Sequence, residues 1–227
     1  MTDLAKSLSP GRSREPYYPT SDGKPMAETD KYRDLAVYVI EALKVRYHGQ
    51  SVYISGNNFL YWEEGNPRAV ISPDAYVVFG VEMRQRDTFM TWKEGGALPN
   101  VVFEFTSRKT RKEDTEKKLP LYERTLRVPE YFRFDPTGDY LRPRLQGFRQ
   151  LGGRYVPLEL LDGRLHSEEL GLDLVQQGEG LRLYDPARGE WLPSLAEEAQ
   201  ARQAAEADNA RLRTELEALR RQIDPQP

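Results

Sequence analysis

Two five-residue runs limit what this chain can fold into: Ala75-Tyr76-Val77-Val78-Phe79 and Val101-Val102-Phe103-Glu104-Phe105. The first is apolar without interruption, so as a strand it buries both faces and needs a layer of structure on each side. Side chains alternate across a strand, so Val101, Phe103 and Phe105 share one face of the second run. Val102, Glu104 and Thr106 share the other. A glutamate amid such apolar neighbours is costly to bury unless a cation or a hydrogen-bond donor accompanies it.

The segments around these runs supply the layers. Tyr32, Leu35, Ala36, Val39, Ile40, Leu43 and Tyr47 recur at helical spacing and predict an amphipathic helix over 29–47, capped by Thr29 or Asp30 and ended by Gly49. SVYIS and NFLYW read as further strands, divided by Gly and Asn; Asn57 and Asn58 are expected to serve the turn. DTEKKLPLYERTL reads as a helix with Leu119, Tyr122 and Leu126 on one face. Pro120 is compatible only if that helix starts near Thr115 or Glu116, which leaves the proline in its first turn. EYFRF is a strand, DPTGD a turn leading by a hairpin into YLRPRLQGF, and RYVPLEL and LRLYD are further strands. Helix, strands, helix, strands is the order of a mixed α/β domain.

The two ends differ from this middle. MTDLAKSLSPGRSREPYYPTSDG is rich in Pro, Ser, Gly and charge, has no apolar signal core, and predicts a disordered tail over 1–25. No apolar run reaches the roughly 20 residues that span a bilayer, and a cytoplasmic protein is the simplest expectation. From Leu195 to Ile223 there is neither Pro nor Gly. Leu195, Arg202, Asn209, Leu216 and Ile223 stand seven apart, and Ala205, Leu212 and Leu219 fill the alternate heptad position. This predicts a coiled-coil helix of roughly 40 Å within a terminal segment 193–227. Asn209 at an a position favours a homodimer, against a lone solvated helix folded back on its own domain.

Composition removes several chemistries. There are no cysteines and only two histidines, so thiolate zinc sites, cysteine nucleophiles and histidine cages are all excluded. His48 and His166 have no partner pattern. Neither a phosphate-binding G-x-x-x-x-G-K loop nor a G-x-S-x-G elbow occurs. A metal here must take oxygen ligands, which favours Mg²⁺ or Mn²⁺. The formal net charge of −3 argues against binding nucleic acid by bulk charge. Residues 101–154, however, carry thirteen basic against eight acidic side chains, a local excess able to meet a polyanion. Ser72-Pro73-Asp74 holds a carboxylate at the mouth of the first apolar run, and a divalent cation shared with Glu104 would offset the burial of both.

SPDAYVV, PNVVFEFTSRKT and DTEKKLPLYERTLRVPEYFRFDP, in this order and flanked by SGNNFLYW and GLRLYDPARGEWL, resemble the Uma-type (Uma-two) restriction-endonuclease family of the PD-(D/E)XK nuclease superfamily. The resemblance runs from Met26 to Leu192. It implies an α/β, restriction-endonuclease-like core over 26–192, in which a mixed β-sheet is flanked by helices. It also implies Mg²⁺-dependent hydrolysis of phosphodiester bonds in DNA. Asp74 and Glu104 would ligate the metal together with the backbone carbonyl of Phe105. The superfamily's lysine commonly stands two residues after the glutamate, where this chain has Thr106. In the Uma-type pattern D-x-x-x-K-x-x-x-Y it moves to the following helix, matched here by Asp114, Lys118 and Tyr122. Lys118 is then the catalytic lysine, with Lys117 the fallback. Glu28 would be an additional acid near the metal, and Arg108, Lys109, Arg111 and Lys112 would hold the nucleic-acid backbone. The contrasting expectation, motivated by Thr106, is a catalytically inactive nuclease fold acting as a dimeric nucleic-acid-binding or protein-interaction module.

Overall fold

The computed structural model describes residues 16–21 and 30–223. Its centre is a six-stranded mixed sheet in the order β1-β4-β6-β7-β8-β9. These strands are β1 (Val52–Ser55), β4 (Ala75–Phe79), β6 (Val101–Phe105), β7 (Glu130–Phe134), β8 (Leu145–Leu151) and β9 (Arg154–Pro157). Only β6 and β7 run parallel; the other neighbours are antiparallel. The two apolar runs of the sequence are thus interior strands of one sheet. Both faces are covered, as an uninterrupted apolar strand requires.

Alternation along each strand sorts the core into two layers. Ala75 and Val77 of β4 and Val101, Phe103 and Phe105 of β6 face helix α1 (Asp30–Arg46). The same layer holds an antiparallel four-stranded sheet of β10 (Arg164–Ser167), β11 (Leu172–Gln177), β12 (Gly180–Asp185) and β13 (Glu190–Trp191). Leu35, Ala36, Val39, Ala42 and Leu43 are the buried stripe of α1, in agreement with its helical spacing. Tyr76, Val78 and Val102 point the opposite way, into a second core completed by Leu60, Phe89, Tyr122, Leu126 and Tyr131. A small sheet of β3 (Val70–Ile71), β2 (Phe59–Tyr61) and β5 (Thr88–Met90) covers this side. So does the helical segment α2, residues 111–125.

Three sequence expectations need correction. α2 does not start near Thr115; it starts at Arg111, where the Arg111 N–H donates to the Ser107 carbonyl, so Pro120 lies deep inside the helix. The proline is accommodated because most of α2 is wound as π-helix, over Asp114–Lys118 and Leu121–Thr125. The five-residue hydrogen-bonded turn widens the bore around a ring that would clash with a regular α-turn. The second correction concerns the loop of the DPTGD hairpin; the hairpin itself does form, with β7 antiparallel to β8. β8 begins only at Leu145, after a ten-residue excursion (135–144) gathered by Asp135, whose buried carboxylate accepts the N–H groups of Gly138, Tyr140 and Leu141.

The third is the N-terminal tail. Residues 16–21 are docked rather than disordered: Tyr18 packs edge-on against Tyr61 at 5.1 Å and beside Trp92 at 5.2 Å. The Tyr61 hydroxyl donates to the Pro19 carbonyl at 2.6 Å. Tyr18 gives this stretch an anchor that its polar composition conceals, while Tyr17 beside it is exposed. The rest of the expected tail, together with Glu28 and Thr29, lies outside the described residues.

The last helix, α3 (Leu195–Ile223), runs for 29 residues as expected. Ser194 and Glu197 form a reciprocal capping box at its start, and Arg182 of β12 donates to Glu197 at 3.0 Å. Among the described residues no helix is long and apolar enough to cross a membrane.

Candidate active site

Asp74 is placed by a close backbone approach. The Asn57 N–H donates to the Pro73 carbonyl at 2.8 Å, laying the 55–58 turn against Ser72-Pro73-Asp74. A Cβ at Gly56 would stand 2.0 Å from the Asp74 carbonyl oxygen, so only glycine fits there. Asn57 has a left-handed backbone, φ 55°, and Asn58 accepts the Tyr76 hydroxyl at 3.0 Å. Both belong to the turn, as their sequence setting suggests. Thus positioned, the Asp74 carboxylate (Oδ2) accepts the Phe105 N–H at 2.6 Å, which ties the mouth of β4 to the end of β6.

Glu104 points from β6 into the second core and is 1% exposed. Its burial is compensated from α2. Lys118 Nζ donates to Oε2 at 2.6 Å, and the Tyr122 hydroxyl donates to Oε1 at 2.7 Å. The D-x-x-x-K-x-x-x-Y spacing therefore does bring its residues together: Asp114 is buried, with Oδ1 3.8 Å from Lys118 Nζ. Thr106, which stands where a lysine is more usual, donates its hydroxyl to Asp114 and contacts the Tyr140 hydroxyl. Lys117 is exposed on α2, so Lys118 rather than the fallback engages the carboxylate.

Electrostatics follow from this packing. Burial pushes the Glu104 carboxyl up to about 8; the Asp74 charge adds to this, while Lys118 and Tyr122 oppose it. Burial alone would lower the Lys118 ammonium, but Glu104, Asp74 and Asp114 outweigh it, so its pKa is raised and the group stays cationic. Burial, reinforced by the Glu104 charge, raises the Tyr122 hydroxyl well above the ordinary tyrosine value and keeps it a donor.

Asp74, Glu104, Phe105, Asp114 and Lys118 open into one cavity of about 730 Å³. Its rim adds residues that the sequence did not single out for a site: Asp30, Lys31 and Tyr32 from the start of α1, and Thr137 from the 135–144 excursion. Tyr140 of the same excursion reaches Thr106. DPTGD signalled only a turn, and nothing local marks a turn as returning to a strand thirty residues earlier. Of the four basic residues expected to hold nucleic acid, Lys109 is on the cavity wall. Arg108 donates to the Asp139 carbonyl at 3.0 Å, Arg111 lies over the Tyr140 ring, and Lys112 is exposed outside the wall.

The donor set suits a hard divalent cation. Glu104 and Asp114 lie 2.6 and 3.8 Å from the Lys118 ammonium and the Asp74 charge also acts on it, which leaves an acidic excess. Among the described residues no three acidic or histidine side chains converge into a cage. An ion here would take Asp74, Glu104 and the Phe105 carbonyl and keep several waters, the habit of Mg²⁺.

The chain is an α/β protein whose mixed sheet carries a buried Glu–Lys–Tyr cluster beside a second carboxylate at a cavity mouth. The sequence matches the Uma2 family, described as "Putative restriction endonuclease", over residues 13–183. The chain belongs to that family. A solved structure similar to it is that of a "putative nuclease belonging to DUF820" from Anabaena variabilis ATCC 29413. The two are 11% identical, with a TM-score of 0.46, over 65% of this chain and 76% of that one. No curated protein matches the chain.

Proposed function

We propose that this chain is a Mg²⁺- or Mn²⁺-dependent endonuclease that hydrolyses phosphodiester bonds in DNA, with residues 26–192 as its catalytic domain. The observation that carries this reading is the Lys118–Glu104 contact. An ammonium delivered from α2 meets the strand carboxylate even though the strand position after it, Thr106, has no amine. A metal held by Asp74, Glu104 and the Phe105 carbonyl would acidify a bound water and neutralise charge on the phosphate.

The chain's own groups do the rest. Lys118, kept cationic by its acidic neighbours, donates to a phosphate oxygen as negative charge builds on it during attack. Tyr122 fixes the Glu104 rotamer from the core side, so that carboxylate is held in one orientation. Asp74 is fixed independently through the Phe105 N–H. Lys109 at the cavity wall attracts the phosphate backbone without reading sequence, while Lys31 there is paired with Glu179 at 2.5 Å.

The test is incubation of the purified protein with supercoiled plasmid in Mg²⁺ or Mn²⁺, beside Asp74→Ala and Lys118→Ala. Metal-dependent nicking in the parent, reduced about 100-fold or more in both variants, supports the reading. A second reading, a nuclease fold that binds DNA without cutting, is favoured by one observation: both Glu104 oxygens are already engaged, by Lys118 and Tyr122. Equal inactivity of all three proteins, with DNA binding retained, would select it.

A further inference from the structure

α3 leaves its first turn anchored and everything after it in solvent. Leu212, Leu216 and Leu219 are 55%, 49% and 55% exposed on the heptad seam, which no element of the described chain covers. The charges bordering this seam are asymmetric. Over residues 208–220 Asp208 and Glu215 hold the g positions and Arg213 and Arg220 the e positions, while Glu206 occupies the e position one heptad earlier. Within the chain the two acids share Arg211, at 3.3 and 3.8 Å. Among the described residues Arg213 and Arg220 have no ion-pair partner.

We propose that α3 joins two copies of this chain as a parallel, in-register, two-stranded coiled coil, so that both domains sit at the same end of the pair. In a parallel coil a g residue faces the e residue five positions further on in its partner. Asp208 then meets Arg213 of the second copy, and Glu215 meets Arg220, in both directions across the seam. An antiparallel pair sets g against g and e against e, which places the acids Asp208 and Glu215 against acids and offers Arg213 and Arg220 only Glu206 as an opposite charge. The charge pattern therefore favours one orientation and disfavours the other. Asn209, which within its own helix donates to the Ala205 carbonyl at 2.9 Å, pairs with its counterpart only when the two a positions are level. That weakens the seam but fixes its register. The occupant is a second copy because the helix is complementary to itself. The capping box and Arg182 hold the base of the helix at a set angle to β12. This inference stands apart from the hydrolytic reading.

The full chain is cysteine-free, so single cysteines report geometry directly. Ala205→Cys and Leu219→Cys, both at d positions and roughly 20 Å apart along a helix, are each expected to close a disulfide with their own counterpart on mild oxidation. An antiparallel pair can bring at most one of them together. Sedimentation equilibrium follows the charges. Asp208→Arg with Glu215→Arg should raise the dissociation constant about 100-fold. Adding Arg213→Glu and Arg220→Glu should restore it to within about threefold. All these positions are exposed, and circular dichroism checks that the helix persists. A parent that stays monomeric at about 100 µM, a disulfide at only one of the two positions, or no rescue by the second charge pair would each overturn the proposal.

Discussion

Replacing Lys118 with methionine should be more damaging than replacing it together with its partner. Lys118 Nζ lies 2.6 Å from Glu104 Oε2, and the two side chains are 15% and 1% exposed. Above about pH 8, where Glu104 is ionised in the fold, Lys118→Met leaves that carboxyl without its counter-charge in the core beside Asp74, a loss of about 3–5 kcal/mol for breaking a buried pair. Glu104→Gln alone keeps an acceptor for Tyr122 and leaves Lys118 near Asp114, so about 1–2 kcal/mol should be lost. The double variant buries no carboxylate at 104 and retains the tyrosine bond. It should therefore be more stable than Lys118→Met by roughly 2 kcal/mol, a coupling readable in a double-mutant cycle of urea unfolding. The pH dependence gives a second check. The Glu104 pKa in the fold, about 8, lies above its ordinary value of 4.5. Between these values the folded chain holds a proton that the unfolded chain has released, so stability falls as pH rises through the window. Lys118 holds the folded value down; removing it moves the upper edge of the window higher. The gap between parent and Lys118→Met should thus stay level up to about pH 8, where both folds hold the proton, and widen above it, where only the parent releases it. Additive single losses, or a gap that narrows with rising pH, would refute the account of Lys118 as the counter-charge of Glu104.

Other expectations follow from neighbouring contacts. Gly56→Ala should cost about 3 kcal/mol in urea unfolding, because its Cβ would stand 2.0 Å from the Asp74 carbonyl oxygen, and metal-dependent nicking should fall with it. Asp135→Ala should lose about 3 kcal/mol by stranding the N–H groups of Gly138, Tyr140 and Leu141. Burial raises the Asp135 pKa, but the N–H groups of Tyr140 and Leu141, with the Thr137 hydroxyl, outweigh it and hold the value below 3.8. The parent's extra stability is therefore present above pH 3.8 and lost as pH falls through the folded value, while the variant's acid unfolding should lack that component. Lys109→Ala should reduce the slope of log affinity for DNA against log salt by about 1, whereas Lys112→Ala, away from the cavity wall, should leave it unchanged in the same titration.

The sequence was legible where one residue's neighbours decide its fate. Alternation along β6 separated Glu104 from Phe103 and Phe105 and put it on the face that α2 covers. The stripe of α1 and the heptads of α3 were equally explicit, because a period is a property of the chain itself. The pairing of Glu104 with Lys118 was reached through the family resemblance, since the residues between them, fourteen positions apart, carry no local sign that they meet. Pro120 misplaced the start of α2 because the proline rule assumes α-geometry, and a π-turn relaxes it. The 135–144 excursion and the docked Tyr18 were opaque for a shared reason. Each is held by partners distant in sequence, Thr106 for Tyr140 and Tyr61 for Tyr18, and composition registers neither.

Asp114 stands between two addresses for the same amine. Its carboxylate takes the Thr106 hydroxyl on one side and lies 3.8 Å from the Lys118 ammonium on the other. A chain with lysine at both positions would find a single acid within reach of each, so neither ammonium would be stranded. On that geometry the amine could move between strand and helix and keep the same acid beside it. What such a lineage preserves is a location in space rather than a location in the chain. A pattern tied to residue spacing along the strand would pass over its members, while one built on the separation of carboxylate and ammonium would gather them.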